Sequence, residues 1–252
     1  MTIPAYLPYY VLTGSIAIIF TIIYGLSAAL ANADWPRQDR AAVVWAAAAI
    51  LIGWFILAIA LGASGAFHAS GDQLPSIQYG IFVPILIGAL LIWRSPLVKR
   101  IVDAAPQAWI VNVQVYRALG VIFLILYASG KLPGLFAWPA GVGDILVGGL
   151  APVVALAYAR QPHENRGLVA AWNVFGILDL AIAVTTGFLT SPSLLQPFAA
   201  QPPNELIDAF PLVLVPIFLV PVSILLHLAS LAKLRRSAAQ AENHGSMAIA
   251  QA

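Results

Sequence analysis

The chain has 252 residues, 61% of them hydrophobic and 9% charged, with a net charge of +2 and no cysteine. A soluble domain carries about 25% charged residues to cover its surface, so these proportions call for lipid as the solvent. The small net charge argues against a nucleic-acid partner, and the missing cysteine excludes disulfides, thiolate metal sites, iron–sulfur clusters and a cysteine nucleophile.

A helix that crosses a membrane needs about 20 apolar residues. Seven windows qualify, over residues 8–31, 41–61, 77–93, 108–128, 137–158, 168–189 and 207–231. The expected fold is all-α, a seven-span transmembrane helix bundle over residues 1–236, followed by a disordered polar tail at 237–252. The first span carries a weak polar stripe of Thr13, Thr21 and Tyr24. Its end, Ala29-Leu30-Ala31, has the small residues of a cleavage site, but no Lys or Arg precedes Arg37, so it is expected to stay uncleaved. The second span is dense in small residues (46–49, Gly53, Ala58 and Gly62), which let helices approach closely. The third is the shortest and contains Pro84. The fourth contains Arg117.

The fifth span opens from the most distinctive stretch of the chain, residues 131–144. Pro139 sits where a helix can start, and Gly141 and Gly143 admit a close backbone or ligand. The positive end of that helix dipole is a candidate dock for an anion, on equal terms with a plain external turn. Asp144 follows. The sixth span holds Asn173 and Asp179, and the seventh holds Pro211, Pro216 and Pro221, which predict a bend. His227, near the inner end of the seventh span, reads as an interfacial or hydrogen-bonded residue rather than a ligand.

Orientation follows from Lys and Arg. Arg37, Arg40, Arg94, Lys99, Arg100, Arg160, Arg166, Lys233, Arg235 and Arg236 fall on one side of the seven windows, and Lys131 alone falls on the other. The basic side is cytoplasmic, which puts the N-terminus outside and the C-terminus inside a cell membrane, the inner one in a bacterium. The longest loops, after the second and sixth windows, are then external, and loops of that length are often functional.

Arg117, Asp144 and Asp179 are the ionisable residues deep inside windows. Each costs roughly 2.5–3.5 kcal/mol at a helix centre, so they are expected to face inward and to pair. At about 1.5 Å per residue, Arg117 and Asp179 lie near the midplane and Asp144 lies closer to the outer face. Asp144 shares its face with Ala137, Ala140, Gly141, Val147, Gly148, Ala151 and Ala155, the small residues of a packed interior or a cavity wall. Arg117 shares a face with Gln114 and Gly120, and Asp179 with Trp172, Phe175, Gly176 and Thr186. One arginine against two aspartates leaves net −1 if all are ionised, so a cation or a proton completes the set. Arg117, Asp144, Asp179, Gln114, Trp172 and Asn173 are therefore the candidate ligand or ion site. The competing reading is a salt-bridge network that only fixes helix register.

No cofactor or metal is called for. A retinal Schiff base needs a lysine inside the last span, and Lys233 is placed beyond its end. Paired histidines for a membrane haem, H-E-x-x-H and G-x-S-x-G are all missing. Three functions stay open, in this order. The first is binding or transport of a small molecule or ion. The second is a non-catalytic role beside a membrane-protein partner. The third is an enzyme acting on a lipid-like substrate.

Overall fold

The computed structural model describes residues 2–33, 35–68, 74, 76–197 and 200–250, with backbone alone for 239–250. Among the described residues every regular element is helical. In chain order these are α1 (Leu7–Asn32), α2 (Arg37–Ala63), α3 (Ile77–Arg94), α4 (Pro96–Ala104), α5 (Gln107–Asn112), α6 (Val121–Ala128), α7 (Gly134–Arg160), α8 (Arg166–Thr190) and α9 (Val220–Ala250). A 3-10 helix, Val113–Gly120, joins α5 to α6, and a π-helical turn, Val215–Leu219, leads into α9.

Seven of these units are long and apolar enough to cross a membrane: α1, α2, α3, Gln107–Ala128, α7, α8 and Val215–Ala238. Six of the expected windows start and end within about one turn of their helices. The seventh does not. Its first residues form only a short 3-10 turn, Leu206–Asp208, and regular helix begins after the π turn. Pro211, Pro216 and Pro221 have no N–H to donate, so the bend expected here is a change of helix type rather than a kink within one helix. Two further differences stand out. Helix α9 continues to Ala250 where a disordered tail was expected from 237, consistent with the Ala, Gln and Glu of that stretch being good helix formers. Helix α7 starts at Gly134, so Pro139 lies inside it, costing only the bond to the Leu135 carbonyl.

Several charged residues outside the spans meet around α4, at one end of the molecule. Helix α4, unforeseen in the sequence, is a short amphipathic helix there. Ser95 caps it by accepting from the Val98 N–H at 3.3 Å, and Pro96 takes its first turn. Lys233 donates to the carbonyls of Asp103 at 2.7 Å and of Ala105, which closes the C-terminal end of α4. Arg236 pairs with Asp103 at 2.6 Å, and the Arg100 guanidinium lies 4.7 Å over the Trp35 ring. At the opposite end, Lys131 donates to the Thr2 carbonyl at 2.9 Å and so ties the N-terminal segment to the turn after α6. Gly130 makes that turn in the left-handed region, at φ 67°. Asn204 Nδ2 donates to Thr190 Oγ1 at 2.9 Å and brings the long connection after α8 back to the helix end. Parts of both long connections, residues 69–73, 75 and 198–199, lie outside the described residues.

Candidate ligand or ion site

The fourth span changes from α to 3-10 geometry where it carries Arg117. A 3-10 run of this length is uncommon inside a helix. At its end Tyr10 of α1 donates from its hydroxyl to the Leu119 carbonyl at 2.6 Å. Glycines then bring the neighbouring helices close. A Cβ at Gly148 would fall 2.3 Å from the Ala118 nitrogen, and one at Gly120 would fall 2.3 Å from Asp144 Cβ. A Cβ at Gly143 would fall 1.6 Å from Asp179 Oδ1, and one at Gly176 would fall 2.4 Å from His227 Nε2. Only glycine fits at these contacts, and they let polar side chains on four spans meet at one point. The small-residue face of α7, Ala137, Ala140, Val147 and Ala151, is buried.

Arg117 is the centre. It is buried, and each of its nitrogens is engaged. Nε donates to Asp144 Oδ1 at 2.7 Å. Nη2 donates to Asp179 Oδ2 and lies 2.7 Å from Asp144 Oδ1. Nη1 donates to the Gly176 carbonyl at 3.2 Å and lies 3.2 Å from His227 Nε2. A guanidinium can only donate, so His227 Nε2 must be the acceptor. The proton of that ring is then on Nδ1, which donates to Asn173 Oδ1 at 2.9 Å. The orientation of the Asn173 amide agrees, because its Nδ2 donates to the Val169 carbonyl at 2.7 Å and to Ser230 Oγ at 2.8 Å. Gln107 Nε2 meets the same Ser230 hydroxyl at 2.5 Å. A continuous polar chain thus runs from the two aspartates through Arg117, His227, Asn173 and Ser230 to Gln107, toward the basic end.

The carboxylates are less complete. Among the described residues, the protein donors reach Asp144 through Oδ1 and Asp179 through Oδ2, which leaves Asp144 Oδ2 and Asp179 Oδ1 with lone pairs to offer. The Asp144 side chain is 16% exposed, against 2% for Arg117 and 7% for Asp179. Asp144 lines two cavities. One runs beneath Tyr10, Tyr116 and Ser223 between α1 and the 3-10 segment. The other rises from Asp144 past Phe123, Phe136 and Leu180 to Ser191 and Asp208, at the end away from the basic cluster. The second has about 570 Å³ of unfilled space counted to its mouth.

Of the residues singled out in the sequence, Arg117, Asp144 and Asp179 meet directly, with Arg117 bonded to both aspartates rather than one. Asn173 joins through His227. Trp172 packs its ring 5.0 Å from that of His227 and donates to the Val147 carbonyl at 3.2 Å, so it buttresses the cluster without touching the charges. Gln114 is turned elsewhere and donates to the Ser223 carbonyl at 3.0 Å.

Residues 74–235 match a family described as "Domain of unknown function (DUF8737)". The chain belongs to that family. The matched stretch covers more than half of the chain and includes Arg117, Asp144, Asp179, Asn173 and His227. Among curated proteins and solved structures, none matches the chain.

His227 is the member of this DUF8737 cluster that sequence reasoning set aside, since a lone histidine near a span end has bland explanations. The signal was present. His227, Ser223 and Ser230 share one face of the last span, and that face meets Asn173 and Arg117. Tyr116, whose hydroxyl lies 2.5 Å from Ser223 Oγ, had no such signal.

Proposed function

We propose that this chain is a multi-pass protein of the cell membrane, N-terminus outside and C-terminus in the cytoplasm, that binds a small molecule or ion at the Arg117–Asp144–Asp179 cluster from the outer face. The observation that carries this reading is Asp144. It is the one member of the cluster with both a free carboxylate oxygen and a cavity in front of it. Two carboxylates against one guanidinium leave an excess negative charge for an occupant to balance. The orientation rests on the ten-to-one division of basic residues between the two sides. A reporter fused after residue 236 is expected to behave as cytoplasmic, and one inserted within 191–204 as external. Two reporters on one side would end the seven-span reading.

Binding is tested by the unfolding temperature of the purified protein in a series of monovalent cations, alkali metal ions and alkylammoniums, at constant ionic strength, because an occupant of the folded state alone stabilises it. Dependence on which cation is present, lost in Asp144→Asn, is the expected result. Indifference in both proteins would return the cluster to helix register alone. That second reading, a partner-binding membrane subunit with structural charges, has its own support on α2. Ala42, Ala46, Ala49 and Gly53 form an exposed line of small residues, and nothing lies within 4 Å of a Cβ added at Gly53. Copurification of a stoichiometric partner through that face would favour it.

A further inference from the structure

Taking the cluster as a binding site, as proposed above, we infer that its occupant is a small organic cation with an apolar body, its ammonium on Asp144 and its body in the outer cavity. The class follows from what the site lacks as much as from what it offers. An anion needs donors, and Arg117 has given its nitrogens to Asp144, Asp179, Gly176 and His227. Docking a carboxylate there would mean breaking one of those buried bonds. A bare metal ion needs several oxygens around it, about six to eight for calcium. No group of three or more His, Asp or Glu side chains among the described residues is placed to hold one.

An ammonium is served differently. It brings its own donors and a single positive charge, which matches the free Asp144 Oδ2 and the excess charge of the cluster. Between Asp144 and the mouth, where Ser191 and Asp208 lie, the cavity is walled by Phe123, Phe136, Leu180, Val184, Phe188 and Ile207. This apolar stretch offers a hydrated metal ion no ligand next to Asp144, but it buries the methylenes of an alkyl chain. Phe123 and Phe136 meet edge to face at 5.3 Å between centroids, a rigid aromatic wall beside the charge.

The test uses the full-length protein in nanodiscs and compares n-butylammonium, methylammonium, potassium, n-butanol and butyrate by isothermal titration. Butylammonium is expected to bind more tightly than methylammonium by about tenfold, since part of three extra methylenes is buried. Butyrate and butanol are expected to bind weaker still. Asp144→Asn should cost butylammonium about tenfold or more and leave butanol unchanged. Gly187→Leu is the second variant. Its first added carbon would sit 3.7 Å from Phe136 Cε2, an ordinary contact, and Gly187 is part of the cavity wall, so the added side chain takes up cavity space. It should weaken butylammonium toward the methylammonium value. Butyrate or butanol binding as tightly as butylammonium would overturn the inference. Potassium or methylammonium binding as tightly as butylammonium, with Asp144 still required, would overturn the apolar body but keep the ion site. Absence of binding by every probe, with both variants folded, would overturn the inference and the site together.

Discussion

Helices α2 and α3 and the last four spans are built from equally apolar sequence but packed differently. In the hydropathic core of α2 only 17% of residues are buried, and in α3 22%, against 50% in the fourth span and 61% in the last. Trp45, Ile50 and Ile56 of α2 are more than half exposed, as residues are when a bilayer covers them. Mean hydropathy does not separate the two groups, since α2 has the highest value in the chain. What separates them is the buried charge. A guanidinium and two carboxylates must be kept from lipid and supplied with partners. That requirement explains the 3-10 segment, the polar chain and the glycine contacts against backbone and charged side chains found in the second group, whereas the glycines of α2 and α3 meet only apolar side chains.

The largest expected effect breaks the cluster at its centre. Arg117→Leu leaves two carboxylates buried without their counter-charge and should cost about 3–5 kcal/mol, read as a large loss of thermal stability or failure to fold. Because Arg117 bonds both aspartates, replacing one of them with it is not enough for rescue. The triple change Arg117→Leu, Asp144→Asn, Asp179→Asn should recover most of the loss. A triple variant no more stable than Arg117→Leu would show that the damage comes from packing. His227→Ala comes next. It leaves Asn173 Oδ1 and one Arg117 N–H without partners and should cost about 1–3 kcal/mol in the same melting experiment. A cost near zero would mean that water replaces the ring.

A matched pair of glycines tests the contrast itself. Gly148→Ala drives a methyl against the Ala118 backbone nitrogen and should destabilise by about 1–3 kcal/mol. Gly53→Ala on α2 meets open space and should be neutral or stabilising by up to about 1 kcal/mol, the helix-propensity gain. Equal costs at the two sites would erase the distinction between the regions. The smallest effect is expected at the basic end. Asp103→Asn removes the exposed Arg236 pair and should change stability by about 0–1 kcal/mol, less at high salt.

The spans and the meeting of Arg117 with the aspartates were legible because lipid makes both costly to arrange otherwise: apolar runs must cross and charges must pair. Helix α4 was not legible, because its short amphipathic repeat is no longer than a loop. The π turn was not legible either, since three prolines signal a break without saying what form it takes. The engagement of every Arg117 nitrogen depends on the Gly176 carbonyl and on His227, partners from two other helices that spacing along the chain cannot align.

The most direct test of the site is access to Asp144 from outside. The chain has no cysteine, so Ala183→Cys, half-buried on the wall of the outer cavity and one turn from Asp179, puts a single thiol in an unlabelled background. Intact cells or right-side-out vesicles are treated with membrane-impermeant thiosulfonates of similar size, one carrying trimethylammonium and one carrying sulfonate. Labelling from the outside is expected, about tenfold or more faster with the cation, because the charge beyond the thiol is net negative. A thiol that reacts only from the cytoplasmic side, or reacts as fast with the sulfonate, would contradict the proposed site.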